Sequence, residues 1–490
     1  MIIDRIYETA RLHPTKSALI HNDVVIDYVT FARTIETLRK SLERHDLPAG
    51  TIAVVLVSHL ADAWALVFAL RALGLTTIQV RSLVHAKERG LKNISCVVTT
   101  AAEQSAHDLA GNPLVGAKII VVATQTATQL DELPVAPQRN RPSGGHILYT
   151  SGTTGDVKKL MWDSELEDAR SSARSQPHGY DSAAVVHNLN YELWSGIGWK
   201  TPLSVWQAAG CLIIDQRPER FERFFRHAVT RTAMTPAAFR WLVATDKFDF
   251  DASIRCEFWV AGGAMGADLA RKAIAKFGHT GRIYHYYSSR ELTAPTLISR
   301  IQSLDDVLWL HPAPDRTIQI VDDNGHECSV GQEGDLRVLR TELDWHCYLD
   351  DTEATSKVFR DGFFYPGDRA MRRADGRIRV LGRVGDVLNV RGDKFAVGPI
   401  EQWIQQYLEV DEVCVFSGFN AAGQNEVVIA VKSDKVPPNE RLAFIRREFE
   451  QFDTVRLAVL RDFPRTEAGT GKVRRAELRK ILFSEPDNKS

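Results

Sequence analysis

Between residues 52 and 122 the chain alternates short apolar runs with helical ones, and no other feature narrows its possible folds as much. IAVVLV (52–57) is a continuous apolar run, 61–73 has helical apolar spacing, 77–80 reads as a strand, and 96–99 and 118–122 continue the pattern. Such strands, separated by helices, predict a mainly parallel sheet covered on both faces. A helix, a hairpin and a second helix precede this unit. Strands at 18–21 and 24–28 flank Asn22 and Asp23, and Thr30 leads an amphipathic run over 31–42. Residues 133–145, rich in Pro, Gly and polar side chains, read as a surface connection into a strand at 146–149. Further strands are expected at 183–188, 211–215 and 258–261. From about Thr317 the pattern changes to short strands with turn signals, at 318–321, 335–338, 369–372 and 377–381. Asp375-Gly376 supplies a hairpin turn, which predicts an antiparallel unit. The expected architecture is α/β. A large N-terminal domain over residues 1–385 combines parallel-sheet α/β subdomains with an antiparallel β subdomain, and residues 386–490 form a small α+β domain.

Of the 490 residues, 44% are hydrophobic and 25% charged, which excludes wholesale disorder. Lys and Arg number 61 against 62 for Asp and Glu, so bulk charge gives no support for nucleic-acid or anionic-membrane binding. The longest apolar stretch, 60–80, is broken by Asp62 and Arg71 and falls short of a membrane span. The opening segment lacks the basic-then-apolar layout of a secretory signal. Six cysteines show no CxxC pair and no zinc-ligand spacing, so reduced thiols are expected. These features predict a soluble, cytoplasmic protein with no nucleic-acid partner.

The segment with most chemistry is Tyr149-Thr-Ser-Gly-Thr-Thr-Gly-Asp-Val-Lys158. A strand enters a loop with two glycines, four hydroxyls and a lysine, which together offer backbone N–H groups, hydroxyl donors and a cation to a polyphosphate. Its glycine–lysine spacing is not that of a P-loop. The loop resembles the phosphate loop of the adenylate-forming enzymes, a superfamily that includes acyl-CoA synthetases, stand-alone adenylation enzymes and luciferases. Their loop usually reads TSGTTGxPKG, and Val157 and Lys159 depart from it.

Five further segments carry the resemblance in the same order. Gly262-Gly263-Ala264 matches the GGA that borders the adenine and the acyl pocket. Tyr287-Ser288-Ser289-Arg290-Glu291 is similar to YGxTE, with Ser288 and Arg290 as departures. Gly362 to Asp368 resembles GWxxTGD, with Pro366 in the Thr position. Gly382-Arg383-Val-Gly-Asp386 resembles GRxxD, followed by Asn389 where a lysine is common and by Gly392. Last, Pro464 to Arg475 resembles PRTxxGKxxR with two extra residues.

The resemblance implies ATP and Mg²⁺ as cofactors. Thr150, Ser151, Gly152, Thr153, Thr154, Gly155 and Lys158 would hold phosphates, and Glu291 would be both a catalytic residue and the metal ligand. Gly263, Ala264, Tyr287 and Ser288 would border the nucleotide, Asp368 and Arg383 would take the ribose, and Lys472 would be catalytic. Asp386 would be the hinge of a mobile C-terminal domain, and Gly392 would flank a thiol tunnel. The implied reaction joins a small-molecule carboxylic acid to AMP, releases pyrophosphate and passes the acyl group to a thiol. That thiol is CoA or the phosphopantetheine of a carrier protein. The resemblance also admits a homodimer.

The acid pocket would involve Gly262 and the segment from His187 to Trp199. The position where amino-acid-activating relatives carry an aspartate falls at Ile197, which argues against an α-amino acid. Trp194 and Trp199 either enclose an aryl or short-to-medium acyl group or belong to the core. The departures at Val157, Arg290, Pro366 and Asn389 keep open a relative that binds nucleotide without chemistry.

Overall fold

The computed structural model describes residues 1–106, 114, 116–123, 142–149, 157–189, 192–248, 255–279, 281–384, 387–390, 393–419, 425–434, 437–449, 454–465 and 473–484. Two sheets with parallel centres carry the first part of the chain. The nine-stranded sheet runs in the order His311–Pro312, Leu297–Arg300, Arg282–Tyr287, Glu257–Val260, Arg231–Ala233, Val185–Asn188, Cys211–Ile214, Ser17–His21, Val24–Asp27. Its central pairs are parallel and its outer pairs antiparallel. The six-stranded sheet runs Lys118–Val122, Ile94–Thr100, Ile52–Leu56, Thr76–Gln79, His146–Tyr149, Lys159–Trp162, and only its last pair is antiparallel.

The helix Leu60–Ala72 explains its own apolar sequence. It touches strands of both sheets and is buried all round except at Asp62. A helix without a solvent face needs no polar stripe. Trp64 stacks on Trp199 at 4.9 Å and meets Trp206 edge-on at the same distance, which fills the space between the sheets. The one charge buried with it, Arg71, pairs with Glu167 at 2.7 Å.

Several boundaries shift by a few residues from the sequence expectation, and at one of them a cap gives the reason. The second helix starts at Tyr28, with Asp27 as its N-cap accepting from the Thr30 amide at 2.8 Å, so Thr30 lies inside the first turn. An acidic cap also complements the helix dipole.

The antiparallel unit is a six-stranded sheet. Glu333–Leu339 pairs with Ile318–Val321, Phe363–Phe364 and Asp368–Arg372, and the last of these pairs with Ile378–Arg383. The two-residue strands Phe359–Arg360 and Phe363–Phe364 are too short to show any periodicity in sequence.

From Val387 onward a two-stranded ribbon precedes a three-stranded sheet, Glu412–Phe419, Asn425–Lys432 and Thr454–Leu460, with the helices Val397–Leu408, Asn439–Glu448 and Arg475–Ser484. Its apolar clusters around Ile429 and around Leu478 contain no residue before Leu388. Gly398 meets the antiparallel unit so closely that a Cβ there would lie 2.0 Å from the Leu381 carbonyl oxygen. Cys96, Cys211, Cys256 and Cys414 are buried and Cys347 is exposed, and all six thiols are free. Among the described residues no helix is long and apolar enough to cross a membrane.

Candidate active site

Sheet register brings the two expected ribose ligands together. Asp368 opens the strand Asp368–Arg372, Arg383 closes the strand Ile378–Arg383, and the two face each other as a cross-strand pair. Arg383 Nε lies 3.3 Å from Asp368 Oδ1, and its Nη1 donates to the Pro366 carbonyl. The Tyr287 hydroxyl, at the end of Arg282–Tyr287, donates to the other carboxylate oxygen. Burial and the adjacent Asp368 carboxylate push the Tyr287 phenol well up, so it stays a donor. The nine-stranded and antiparallel sheets are thereby joined at a buried carboxylate with acceptor capacity for vicinal hydroxyls.

Glu291 lies one turn beyond Tyr287 and is 6% exposed. Tyr348 donates its hydroxyl to Oε1 at 2.7 Å, and Ser289 donates to Oε2. Among the described residues no cation lies within ion-pair distance of this carboxylate, and no cluster of three His, Cys, Asp or Glu forms a protein-only metal site. A buried, hydroxyl-oriented carboxylate with spare lone pairs fits Mg²⁺, which takes one or two carboxylates and completes its shell with phosphate oxygens and water. Arg290, which replaces the usual threonine, donates from Nη1 to the Tyr149 carbonyl at 2.8 Å. It ties this turn to the strand His146–Tyr149, which leads into the expected phosphate loop.

At the other end of that loop, Lys158 Nζ bonds Asp351 Oδ2 at 3.0 Å. Asp351 caps the helix Thr352–Val358 through the Ala354 amide. That bond, with Lys158 beside it, holds its carboxyl below the usual range. Val157 is partly buried against the apolar cluster of the six-stranded sheet, which accounts for an apolar residue there. Gly262, Gly263 and Ala264 follow the strand Glu257–Val260. Gly262 has φ +90°, which favours glycine, and a Cβ on Gly263 would lie 3.7 Å from Pro236. The Gly263 carbonyl is within 3.2 Å of His285 Nε2, and Ser288 is half-buried in the turn before Glu291.

The two tryptophans part company. Trp194 stacks on Tyr149 at 5.6 Å and lines a cavity of about 230 Å³ with Leu56, Val80, Arg81, Glu192 and Gln216. Trp199 is fully buried, stacked between His146 at 3.7 Å and Trp64, and so takes the core role of the two left open for it. A tryptophan in an apolar helix has the same sequence pattern in either role.

Thr150, Ser151, Gly152, Thr153, Thr154, Gly155, Asp386, Gly392 and Lys472 lie outside the described residues. The sequence reading missed Tyr348, which orients Glu291 from 57 residues away with no local pattern to mark it. It also missed Asp351, whose position just before a short helical run is a capping signal for Lys158's partner.

Comparison with known proteins gives the family and the fold. The family model for the AMP-binding enzymes matches residues 6–342. The mitochondrial acyl-coenzyme A synthetase ACSM5 of Mus musculus is 26% identical over 358 residues, covering 68% of this chain and 60% of that protein's length. Bacitracin synthase 1 of Bacillus licheniformis is 26% identical over 361 residues, which is 68% of this chain and 7% of the synthase. The crystal structure of the anthranilate CoA ligase AuaEII with anthranoyl-AMP superposes with a TM-score of 0.81 at 17% identity, covering 98% of this chain and 96% of that one. With well over half of its length matched by the family model and the fold shared from end to end, this chain belongs to the AMP-binding enzyme family.

Proposed function

We propose that this protein activates a carboxylic acid with ATP and transfers the acyl group to CoA, as an AMP-forming acid–CoA ligase. The observation that carries the reading is the convergence of Asp368, Arg383, Tyr287 and Glu291 on one site beside the strand that feeds the phosphate loop.

In the first step a carboxylate oxygen forms a bond to the α-phosphorus of ATP, and the bond to the pyrophosphate oxygen breaks, leaving acyl-AMP. Two anions approach each other, so the site must supply positive charge where the negative charge gathers. Lys158 does so by exchanging Asp351 for phosphate, and the backbone amides and hydroxyls of Thr150 to Gly155 would cradle the same oxygens. Asp368 accepts from the ribose hydroxyls while Arg383 and Tyr287 hold its carboxylate still. Glu291 would hold Mg²⁺, whose charge offsets that on the phosphates when bound. Lys472 would enter for this step, and Asp386 would be the hinge by which residues 386–490 turn between steps. In the second step a thiol attacks the acyl carbonyl and AMP leaves, and Gly392 would flank the thiol's path.

The acid we propose is aryl or short-to-medium acyl, in keeping with Ile197 at the position of an ammonium-binding aspartate and with Trp194 lining a cavity. A carrier protein as acceptor is the second reading, kept open by the stand-alone adenylation enzymes within the superfamily that the sequence resembles. A cytoplasmic place is proposed from the free thiols, four of them buried.

The deciding experiment is exchange of labelled pyrophosphate into ATP over a panel of aryl, acyl and amino acids, without thiol. Exchange with one class of acid is expected, followed by product release with CoA. Binding of nucleotide with no exchange across the panel would favour a non-catalytic relative. Lys472→Ala is expected to slow adenylation by roughly two powers of ten, about 3 kcal/mol. It should leave thioester formation from preformed acyl-AMP within a few-fold, and equal slowing of both steps would remove Lys472 from that role.

A further inference from the structure

The turn that presents Glu291 has no regular secondary structure of its own, yet three consecutive carbonyls in it are held. Lys200 donates from Nζ to the Arg290 carbonyl at 2.8 Å and to the Leu292 carbonyl at 2.8 Å. The carbonyl between them, that of Glu291, accepts from the Trp345 amide at 3.0 Å. Lys200 stands on the helix Gly196–Gln207, is 3% exposed, and has its ammonium 4.5 Å from the centre of the Trp345 ring. Two carbonyls and a ring face satisfy the three N–H groups of an ammonium. Among the described residues it forms no ion pair, and burial pushes its pKa well down, so its hold on the turn is the two hydrogen bonds to backbone carbonyls. Inside a protein such bonds are not diluted by water.

We propose that Lys200 is a positioning residue for the metal-bearing turn, clamping the carbonyls on either side of Glu291 so that its carboxylate is held at the angle set by Tyr348 and Ser289. This rests on the reading of Glu291 as the Mg²⁺ ligand. A buried lysine inside an apolar helical run is costly unless its partners are good. Here those partners are the two backbone groups that fix one functional side chain.

The test compares the full-length wild type with Lys200→Met, which keeps the length of the stem and removes charge and donors, and with Lys200→Gln, which retains a shorter donor. ATP binding is measured by calorimetry with Mg²⁺ and with EDTA, and Mn²⁺ binding in the presence of ATP is followed by electron paramagnetic resonance. In Lys200→Met the affinity for metal-free ATP is expected to stay within twofold of wild type, while the gain in affinity on adding Mg²⁺ falls at least tenfold and the Mn²⁺ site weakens in parallel. Lys200→Gln should fall between the two and carries the test alone if the methionine variant does not fold. A variant that keeps the full metal-dependent gain, or that loses metal-free and metal-dependent binding equally, overturns the proposal. A wild type with no metal-dependent gain at all overturns the reading of Glu291 itself, and the role of Lys200 with it.

Discussion

Replacing Glu291 with glutamine is expected to slow acid-dependent pyrophosphate exchange by two to three powers of ten, about 2.7–4 kcal/mol of transition-state stabilisation. The side chain is buried and the substitution is isosteric, so the fold should survive. What changes is charge and bonding. Both carboxylate oxygens accept from hydroxyls, Tyr348 on one and Ser289 on the other. An amide offers only one acceptor oxygen and turns an NH₂ toward the other hydroxyl, which must then accept where it had donated, and the negative charge that would hold Mg²⁺ is gone. Exchange by the wild type should stop when EDTA removes divalent metal. The glutamine variant should need much more Mg²⁺ for half-maximal rate, and the two defects should not add. Exchange at the wild-type rate and wild-type Mg²⁺ requirement in Glu291→Gln would take Glu291 out of the metal site.

Much of this site could be read along the chain, because each part of it is a short local pattern. Asp368 and Arg383 were named through the resemblance of the segments Gly362 to Asp368 and Gly382 to Asp386, and the structure brings them together only through the antiparallel register of two strands. That register is set by pairing across the sheet and is invisible in either segment alone. The same limit hid Tyr348 and Lys200, whose partners lie 57 residues and about 90 residues away in the chain. Strand and helix order through residues 52–122 was legible because buried parallel strands are apolar throughout. The helix Leu60–Ala72 was legible for a related reason, since burial on all sides leaves it nearly devoid of polar residues. Trp199 could not be assigned from pattern. Its place against His146 and Trp64 depends on the Thr77–His146 hydrogen bond of 2.8 Å and on the packing between the two sheets.

Glu167→Ala is expected to cost about 3–5 kcal/mol of stability, the largest effect of any substitution remote from the site. Glu167 is fully buried at the start of the helix Glu167–His178, and three donors converge on it. Its Oε1 accepts from the Ile2 amide at 3.1 Å, and its Oε2 accepts from Trp162 Nε1 at 3.0 Å and ion-pairs with Arg71 at 2.7 Å. Arg71 is itself 1% exposed. Among the described residues no other carboxylate lies within 4 Å of it, though its Nε donates to the Gly144 carbonyl at 2.9 Å. Alanine would leave a guanidinium buried without a counter-charge, and that penalty exceeds the net worth of the pair. The effect should reach the site, because Gly144 lies two residues before the strand His146–Tyr149, at whose far end Arg290 docks. Urea unfolding followed by tryptophan fluorescence, with Trp162 and Trp199 in or beside the pair, would measure the loss. The double variant Arg71→Met with Glu167→Leu should recover at least half of it, since a neutral pair of similar size removes the stranded charge. A double variant as unstable as Glu167→Ala would mean that the lost bonds to Ile2 and Trp162, rather than the charge on Arg71, carry the cost.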